Sequence, residues 1–135
     1  MTMIRLNQNV VQSVSLVVSQ EEDKSDSSFE YEKHFSEDDK KSFAITFKLK
    51  MKTPDCDLDI VYASFFLSDE EISEEDHDSK FYKVNAPAIG YPFLRAYVAN
   101  LLMSSGFNAV MIPTINFVNL AEEKNKSLEK NTTSD

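Results

Sequence analysis

"FAITFKLKMK", Phe43 to Lys52, is the stretch that decides how this chain folds. Phe43, Ile45, Phe47, Leu49 and Met51 fall on one side; Ala44, Thr46, Lys48, Lys50 and Lys52 fall on the other. Successive side chains of a strand point to opposite faces, so this strict alternation is the pattern of a half-buried β-strand.

Three further strand candidates flank it. Phe29 to Phe35 sets Phe29, Tyr31, Lys33 and Phe35 against Glu30, Glu32 and His34. Asn9 to Ser19 places Val10, Val14, Leu16 and Val18 on one face, interrupted by Gln12. Leu58 to Leu67 alternates at first and then turns apolar on both faces at "FFL". The connections "QEEDKSDSS", "SEDDKK" and "KTPDCD" are polar turn or loop material. All are too short for the helical crossover that parallel pairing requires, so an antiparallel meander is expected.

The main helix is expected over "YPFLRAYVANLLMSS", Tyr91 to Ser105. Ile89, Phe93, Leu94, Tyr97, Val98, Leu101 and Leu102 recur at three- and four-residue spacing. Pro92 suits a first turn, and Gly106 suits the left-handed position just past the end, with Phe107 folding back onto Leu102. Arg95 is the only charge, and the second face carries Ala96, Ala99 and Met103. A helix apolar nearly all round is buried on two sides. One thin sheet covers one side, so Ala96, Ala99 and Met103 are expected to meet another subunit.

Between sheet and helix lies "SDEEISEEDHDSK", Ser68 to Lys80, strongly acidic, with Ile72 its only large apolar residue. It reads as a short exposed helix or a mobile loop. After the helix comes "VMIPTINF", Val110 to Phe117, nearly all apolar yet carrying Pro113. Proline has no N–H for a sheet ladder, so a central strand is a poor reading. The polar end, "VNLAEEKNKSLEKNTTSD", holds a weak helix from Asn119 to Lys130 with Glu122 and Lys126 paired, then a frayed terminus. The chain reads as one α+β domain over residues 1–135: a four-stranded antiparallel sheet followed by a long C-terminal helix, with 121–135 a polar tail.

Composition narrows the function. The 135 residues carry a net charge of −9, against the basic footprint that nucleic acid demands. No apolar run approaches the roughly 20 residues that span a bilayer, and the start lacks the apolar stretch and cleavage site of a signal peptide. A cytoplasmic location is expected, and the single cysteine suits it. Cys56 lies between Asp55 and Asp57, an acidic setting in which a catalytic cysteine is not expected. The two glycines cannot make a Walker loop or a dinucleotide fingerprint. "DCDLDI" opens like a calcium loop but has Ile60 where glycine belongs and Phe66 where the bidentate glutamate belongs. His77 belongs to a solvated charge run, His34 to the polar face of its strand, and the sequons at Asn125 and Asn131 mean little without secretion. No cofactor, metal or catalytic residue is expected.

Apolar surface remains. The chain has 10 Phe, 5 Tyr and 5 Met. One sheet and one helix do not obviously bury Phe65, Phe66, Leu67, Phe81, Tyr82, Val110, Met111 and Ile112. They are either core and subunit interface or the lining of a groove for extended, apolar polypeptide. Flexible Met and aromatic surfaces suit binding without strict sequence preference.

"NAPAIGYPFLRAYVANLLMSSGFNAVMIPTINF" resembles the end of the SecB protein-export chaperone family, at Pro87, Tyr91, Pro92, Phe93, Arg95, Gly106, Phe107, Pro113, Asn116 and Phe117. The resemblance implies a dimer of dimers, a homotetramer with its long helices between two eight-stranded sheets. It implies an ATP-independent holdase that keeps unfolded preproteins in apolar grooves and passes them to SecA. "VMIPTINF" would then cover the groove beside the sheet, with Pro113 stopping it from closing the groove as a strand. Ala96 replaces a common glutamate, and Ser13, Val17 and Ala63 stand where typical members carry SecA-docking acids. "FFLSDEE" replaces the family's exit from the fourth strand, and the tail lacks the glycine- and basic-rich ending. These departures support substrate holding better than delivery to SecA, and leave as an alternative a SecB-like chaperone dedicated to one client or toxin–antitoxin system. Glu21, Glu22, Asp23, Glu70 and Glu71 are then candidates for docking another partner. An oligomeric adaptor shares the same features. A hot-dog-like thioesterase would need a carboxylate or histidine at the helix start, where only Asn85, Tyr91 and Arg95 stand.

Overall fold

The computed structural model describes residues 2–19, 25–110 and 112–123. Four strands, β1 (Ile4–Val18), β2 (Asp26–Phe35), β3 (Ser42–Lys52) and β4 (Cys56–Ser68), form one sheet in the order β1-β4-β3-β2, every neighbouring pair antiparallel. Helix α1 (Ala86–Ser104) follows, and a second helix, α2, begins at residue 117. Glu21, Glu22, Asp23, Met111, Lys126, both sequons, and the end of the expected 119–130 helix lie outside the described residues.

The alternation read in β3 is the one observed. Phe43, Ile45, Phe47, Leu49 and Met51 are all buried, opposite Phe66, Ser64, Tyr62, Ile60 and Leu58 of β4. Polar side chains close the hairpins. Thr53 Oγ1 accepts from the N–H groups of Asp55 and Cys56 at 3.2 and 3.0 Å, and Ser36 Oγ accepts from Asp39 N–H at 3.0 Å. "DCDLDI" belongs mostly to β4 rather than to a loop, and the Cys56 thiol is buried.

β1 departs from the expected face. Register shifts between Leu6 and Gln8 and between Val11 and Ser13 insert an extra residue each time. Gln12 is one of these, so the alternation changes face across it. Val11 pairs with buried Tyr62 and joins Leu16 on the core side, while Val10, opposite Ala63, moves to the other face. The same bulges concealed the strand's first five residues from a period-two reading.

Helix α1 begins earlier than expected. A π-helical turn, Phe81–Asn85, leads into it, and Pro87 takes the first-turn place assigned to Pro92. Pro92 lies inside the helix, where its missing N–H leaves the Ala88 carbonyl without its usual donor; Ala88 is exposed, so water can reach it. The end is as expected. Gly106 has φ of 87°, Phe107 N–H donates to Leu102 O at 2.9 Å, and Gly106 N–H to Met103 O at 3.3 Å, the paired bonds of a Schellman motif.

Gly90 sets the helix-to-sheet distance. A Cβ there would sit 2.5 Å from Ser64 Oγ and 3.1 Å from Phe47 Cε2. Ser64 is itself fully buried, and its hydroxyl is satisfied by Asn9 Oδ1 at 2.6 Å. A side chain at 90 forces α1 off the sheet, so Gly90→Val is expected to cost about 1–3 kcal/mol. The matching fall in Tm is about 10 °C, checked by thermal circular dichroism; an unchanged Tm overturns the close approach.

The acidic segment is neither an exposed helix nor a free loop. It makes one 3-10 turn, Glu74–Asp76, between two anchors. Ile72 is buried and its N–H donates to Lys40 O at 2.8 Å. His77 is stacked on Phe35 with ring centroids 3.6 Å apart, and Lys33 donates to His77 O and Asp78 Oδ1 at 2.8 and 2.9 Å. The lysine holds the Asp78 carboxyl below its usual pKa, chiefly through that hydrogen bond.

Candidate functional site

The stretch around Pro113 is a strap over residues 112–116 with neither helix nor strand, outside the sheet. Two α1 side chains one turn apart hold it. Tyr91 OH donates to Pro113 O at 2.7 Å, and Arg95 Nε donates to Ile112 O at 2.9 Å. Burial raises the Tyr91 hydroxyl's pKa, an effect Arg95 partly offsets, so the phenol stays a donor across the neutral range. Asn116 then starts α2: its Oδ1 accepts from Asn119 N–H at 3.2 Å, as an N-cap does. Phe117 plugs the space beneath, edge-on to Phe29, Tyr31 and Tyr91 at 6.3, 5.3 and 5.6 Å.

Between the strap and the β3–β4 turn lies a half-open cleft of about 620 Å³. Phe29, Leu49, Met51, Tyr91, Ile112 and Ile115 form its apolar lining, and Val110 and Pro54 stand exposed at the edge. Asp26 and Lys52 add charge to its rim. Only β3 separates β2 from β4, and among the described residues β2 is an edge strand, so strand-pairing groups lie beside an apolar wall. The larger space of about 820 Å³ at the other end of the β2–β3 hairpin is walled mainly by Glu37, Lys40, Glu71, Glu74 and serines. A third, of about 380 Å³, lies on the sheet's outer face among Ser13, Lys48, Lys50 and Asp59. Of these three, only the first is bordered by the strap. Among the described residues, no three His, Cys, Asp or Glu side chains converge to hold a metal ion.

The residues named from sequence are dispersed. Val110 and Ile112 line the cleft. Phe65 and Leu67 are half-buried on β4 opposite Ala44 and Ser42, on the sheet face away from Phe66. Phe66 is 1% exposed and stacks on Phe43 at 4.8 Å; Tyr82 is 6% exposed and packs edge-on against Phe35 and Phe43. As folded, Phe66 and Tyr82 are packed in the core and border none of these three cavities. Phe81 is half-buried beside Tyr82. Glu70 and Glu71 are exposed, and Glu70 accepts from Thr2 Oγ1 at 2.7 Å. The cleft residues missed were Phe29, Leu49, Met51, Tyr91 and Ile115. Alternation alone marks the strand residues as core, and the clue lies in the apolar segment that cannot become a strand.

Two other apolar surfaces face outward. Ala96 and Met103 are exposed and Ala99 half-buried on α1. Ile89 and Phe93, expected on the core face, stand with them instead, because Leu94, Val98 and Leu102 with Gly90 and Tyr91 already fill that face. On the edge strand β1, Val14, Val17 and Val18 are exposed. Ser13 and Val17 are also exposed, whereas Ala63 is fully buried.

Comparison with known proteins agrees with this architecture. The family model described as preprotein translocase subunit SecB matches residues 6–127. Among solved structures, one similar chain is a SecB-like chaperone of Mycobacterium tuberculosis, solved in complex with a ChAD peptide from the HigA1 antitoxin. It is 13% identical with a TM-score of 0.65, over 83% of this chain and 89% of that one. A Streptococcus agalactiae protein of unknown function is also 13% identical, with a TM-score of 0.61 over 84% of this chain and 99% of that one. No curated protein matches. The matched span takes in the sheet from Leu6 of β1 onward, α1 and the strap, and the chain belongs to the SecB family, the preprotein translocase subunits.

Proposed function

We propose that the protein is an ATP-independent holdase that seats extended, apolar segments of unfolded polypeptide in the 620 Å³ cleft. The observation that carries this is the strap: an apolar wall kept beside an edge strand without being added to it. The peptide bound by the mycobacterial relative supports a polypeptide as the client class. A cytoplasmic location and the absence of catalysis go with this reading.

The working particle is a homotetramer. A dimer of dimers needs two different self-complementary surfaces. The apolar edge of β1 offers one, and the stripe of Ile89, Phe93, Ala96, Ala99 and Met103 on α1 offers the other.

Delivery to SecA is the less favoured ending. None of Ser13, Val17 and Ala63 can supply the negative charge expected at those positions, and Ala63 is not accessible at all. That favours a chaperone dedicated to one client, such as an antitoxin, with Glu70 and Glu71 available to a different partner. The test is size-exclusion chromatography with light scattering, with and without an unfolded protein. A particle near four times 15.4 kDa that takes up client and suppresses its aggregation at stoichiometric amounts is expected. A monomer without effect on aggregation overturns the reading. A particle that binds one folded partner in preference to unfolded chains is an adaptor instead.

A further inference from the structure

We propose that Tyr91 and Arg95 are positioning residues of the client cleft. They hold the strap as a wall that a client leans on but cannot draw into a strand ladder. The inference rests on the holdase reading above and adds to it the residues that set the cleft's shape.

An extended apolar segment beside an edge strand has two easy fates. It can pair with that edge, or it can fall into the apolar space and fill it. Among the described residues, no backbone hydrogen bond ties residues 108–115 to the sheet. Apolar side chains anchor the strap at both ends: Ile112 is 5% exposed and Phe117 4%. Such contacts fix position but not backbone orientation, because they are not directional. The two α1 donors supply the direction. They turn the carbonyls of residues 112 and 113 toward the helix, and Pro113 has no N–H to offer on any side. At those residues the strap presents side chains to the cleft and keeps its backbone engaged elsewhere.

The donors are themselves held. The Tyr91 ring sits among Phe29, Phe47 and Phe117, with centroids at 5.4, 6.2 and 5.6 Å. Arg95 lies one turn further along α1. A rigid helix therefore sets the width of the cleft, and a wall already in place spares the client the entropy of ordering it. The clasp is expected to act on how long a client stays, since changes within one interface fall mainly on the dissociation rate.

The test compares wild type with Tyr91→Phe, Arg95→Gln and the double variant. Tyr91→Phe keeps the ring and removes only the hydroxyl. The probe is reduced, carboxymethylated and fluorescein-labelled α-lactalbumin, a permanently unfolded chain. Stopped-flow measurement gives both rate constants, and amide exchange by mass spectrometry is read for residues 110–117 and separately for β3 and β4. The double variant is expected to release the probe about tenfold faster with little change in association rate. Exchange at 110–117 is expected to quicken while β3 and β4 stay as protected as in wild type, a pattern that general destabilisation would not give. Unchanged release with faster exchange shows that the strap is not a client wall and overturns the proposal. Unchanged exchange shows that the clasp does not hold the strap and also overturns it. A wild-type protein that leaves the probe unbound defeats the holdase reading itself, and this proposal with it.

Discussion

Val110→Asp combined with Ile115→Asp is expected to abolish client holding while leaving the protein folded. Val110 is exposed at the cleft edge and Ile115 half-buried in its wall. Neither is among the buried side chains of the sheet and α1. A client side chain that would bury against Val or Ile meets a carboxylate instead, which must lose its water for the same contact. At about 1.5–3 kcal/mol for each large apolar side chain left unburied, two sites cost enough to raise Kd by about a hundredfold or more. Fluorescence anisotropy of a labelled unfolded chain reads the loss, and aggregation of an unfolded client at equal concentration reads its consequence. Val118→Asp is the control: Val118 is equally exposed and lies outside the cleft lining, so its substitution is expected to leave binding within twofold of wild type. Wild-type affinity in the cleft variant, with the circular dichroism spectrum unchanged, places the client elsewhere.

What could be read from the sequence followed from the range over which each feature is encoded. Phe43 to Met51 alternates because the strand's own geometry imposes the period, so β3 and its apolar face were legible at once. The Schellman turn at Gly106 is equally local, since a positive φ and two short-range hydrogen bonds need only the residues beside it. β1 was harder because a bulge reverses the alternation, and Gln12 looked like an interruption when it was the inserted residue. "FFL" looked apolar on both faces and is: Phe66 packs in the core while Phe65 and Leu67 lie on the other face.

The site depended on distances no local pattern carries. Tyr91 and Arg95 showed their spacing, but nothing in the sequence said that residues 112 and 113 would bring carbonyls to them. Phe66 and Tyr82 looked like surplus apolar surface because the aromatic cluster that absorbs them, Phe35 and Phe43, is assembled from two other strands. His77 read as part of a solvated run because its stacking partner, Phe35, lies on β2. Spacing alone places Ile89 and Phe93 inward. Gly90 and Ser64 bring the helix so close that the core face narrows to Leu94, Val98 and Leu102, and the wider apolar arc is left outside.

That arc leads to the second large effect. Phe93→Glu with Met103→Glu is expected to halve the particle, from about four to about two times 15.4 kDa by light scattering. Both side chains are well exposed on the protomer, at 48% and 62%, so their loss removes little from its own core. At a helix-to-helix contact between copies they would be buried. Across a two-fold axis each substitution acts on both partners, so like charges face one another where apolar surface should close. The β1 edge is untouched and is expected to keep the remaining pair together. Within the protomer the cleft already has walls from β2, β3, the β3–β4 turn, α1 and the strap. Affinity for a short apolar peptide is therefore expected to persist in the half-particle. A long unfolded chain, which can occupy several clefts at once, is expected to lose the part of its affinity that comes from linked sites. An undivided particle would show that α1 does not join the two halves, and parallel losses for short and long ligands would show that the cleft needs a neighbouring copy to be complete.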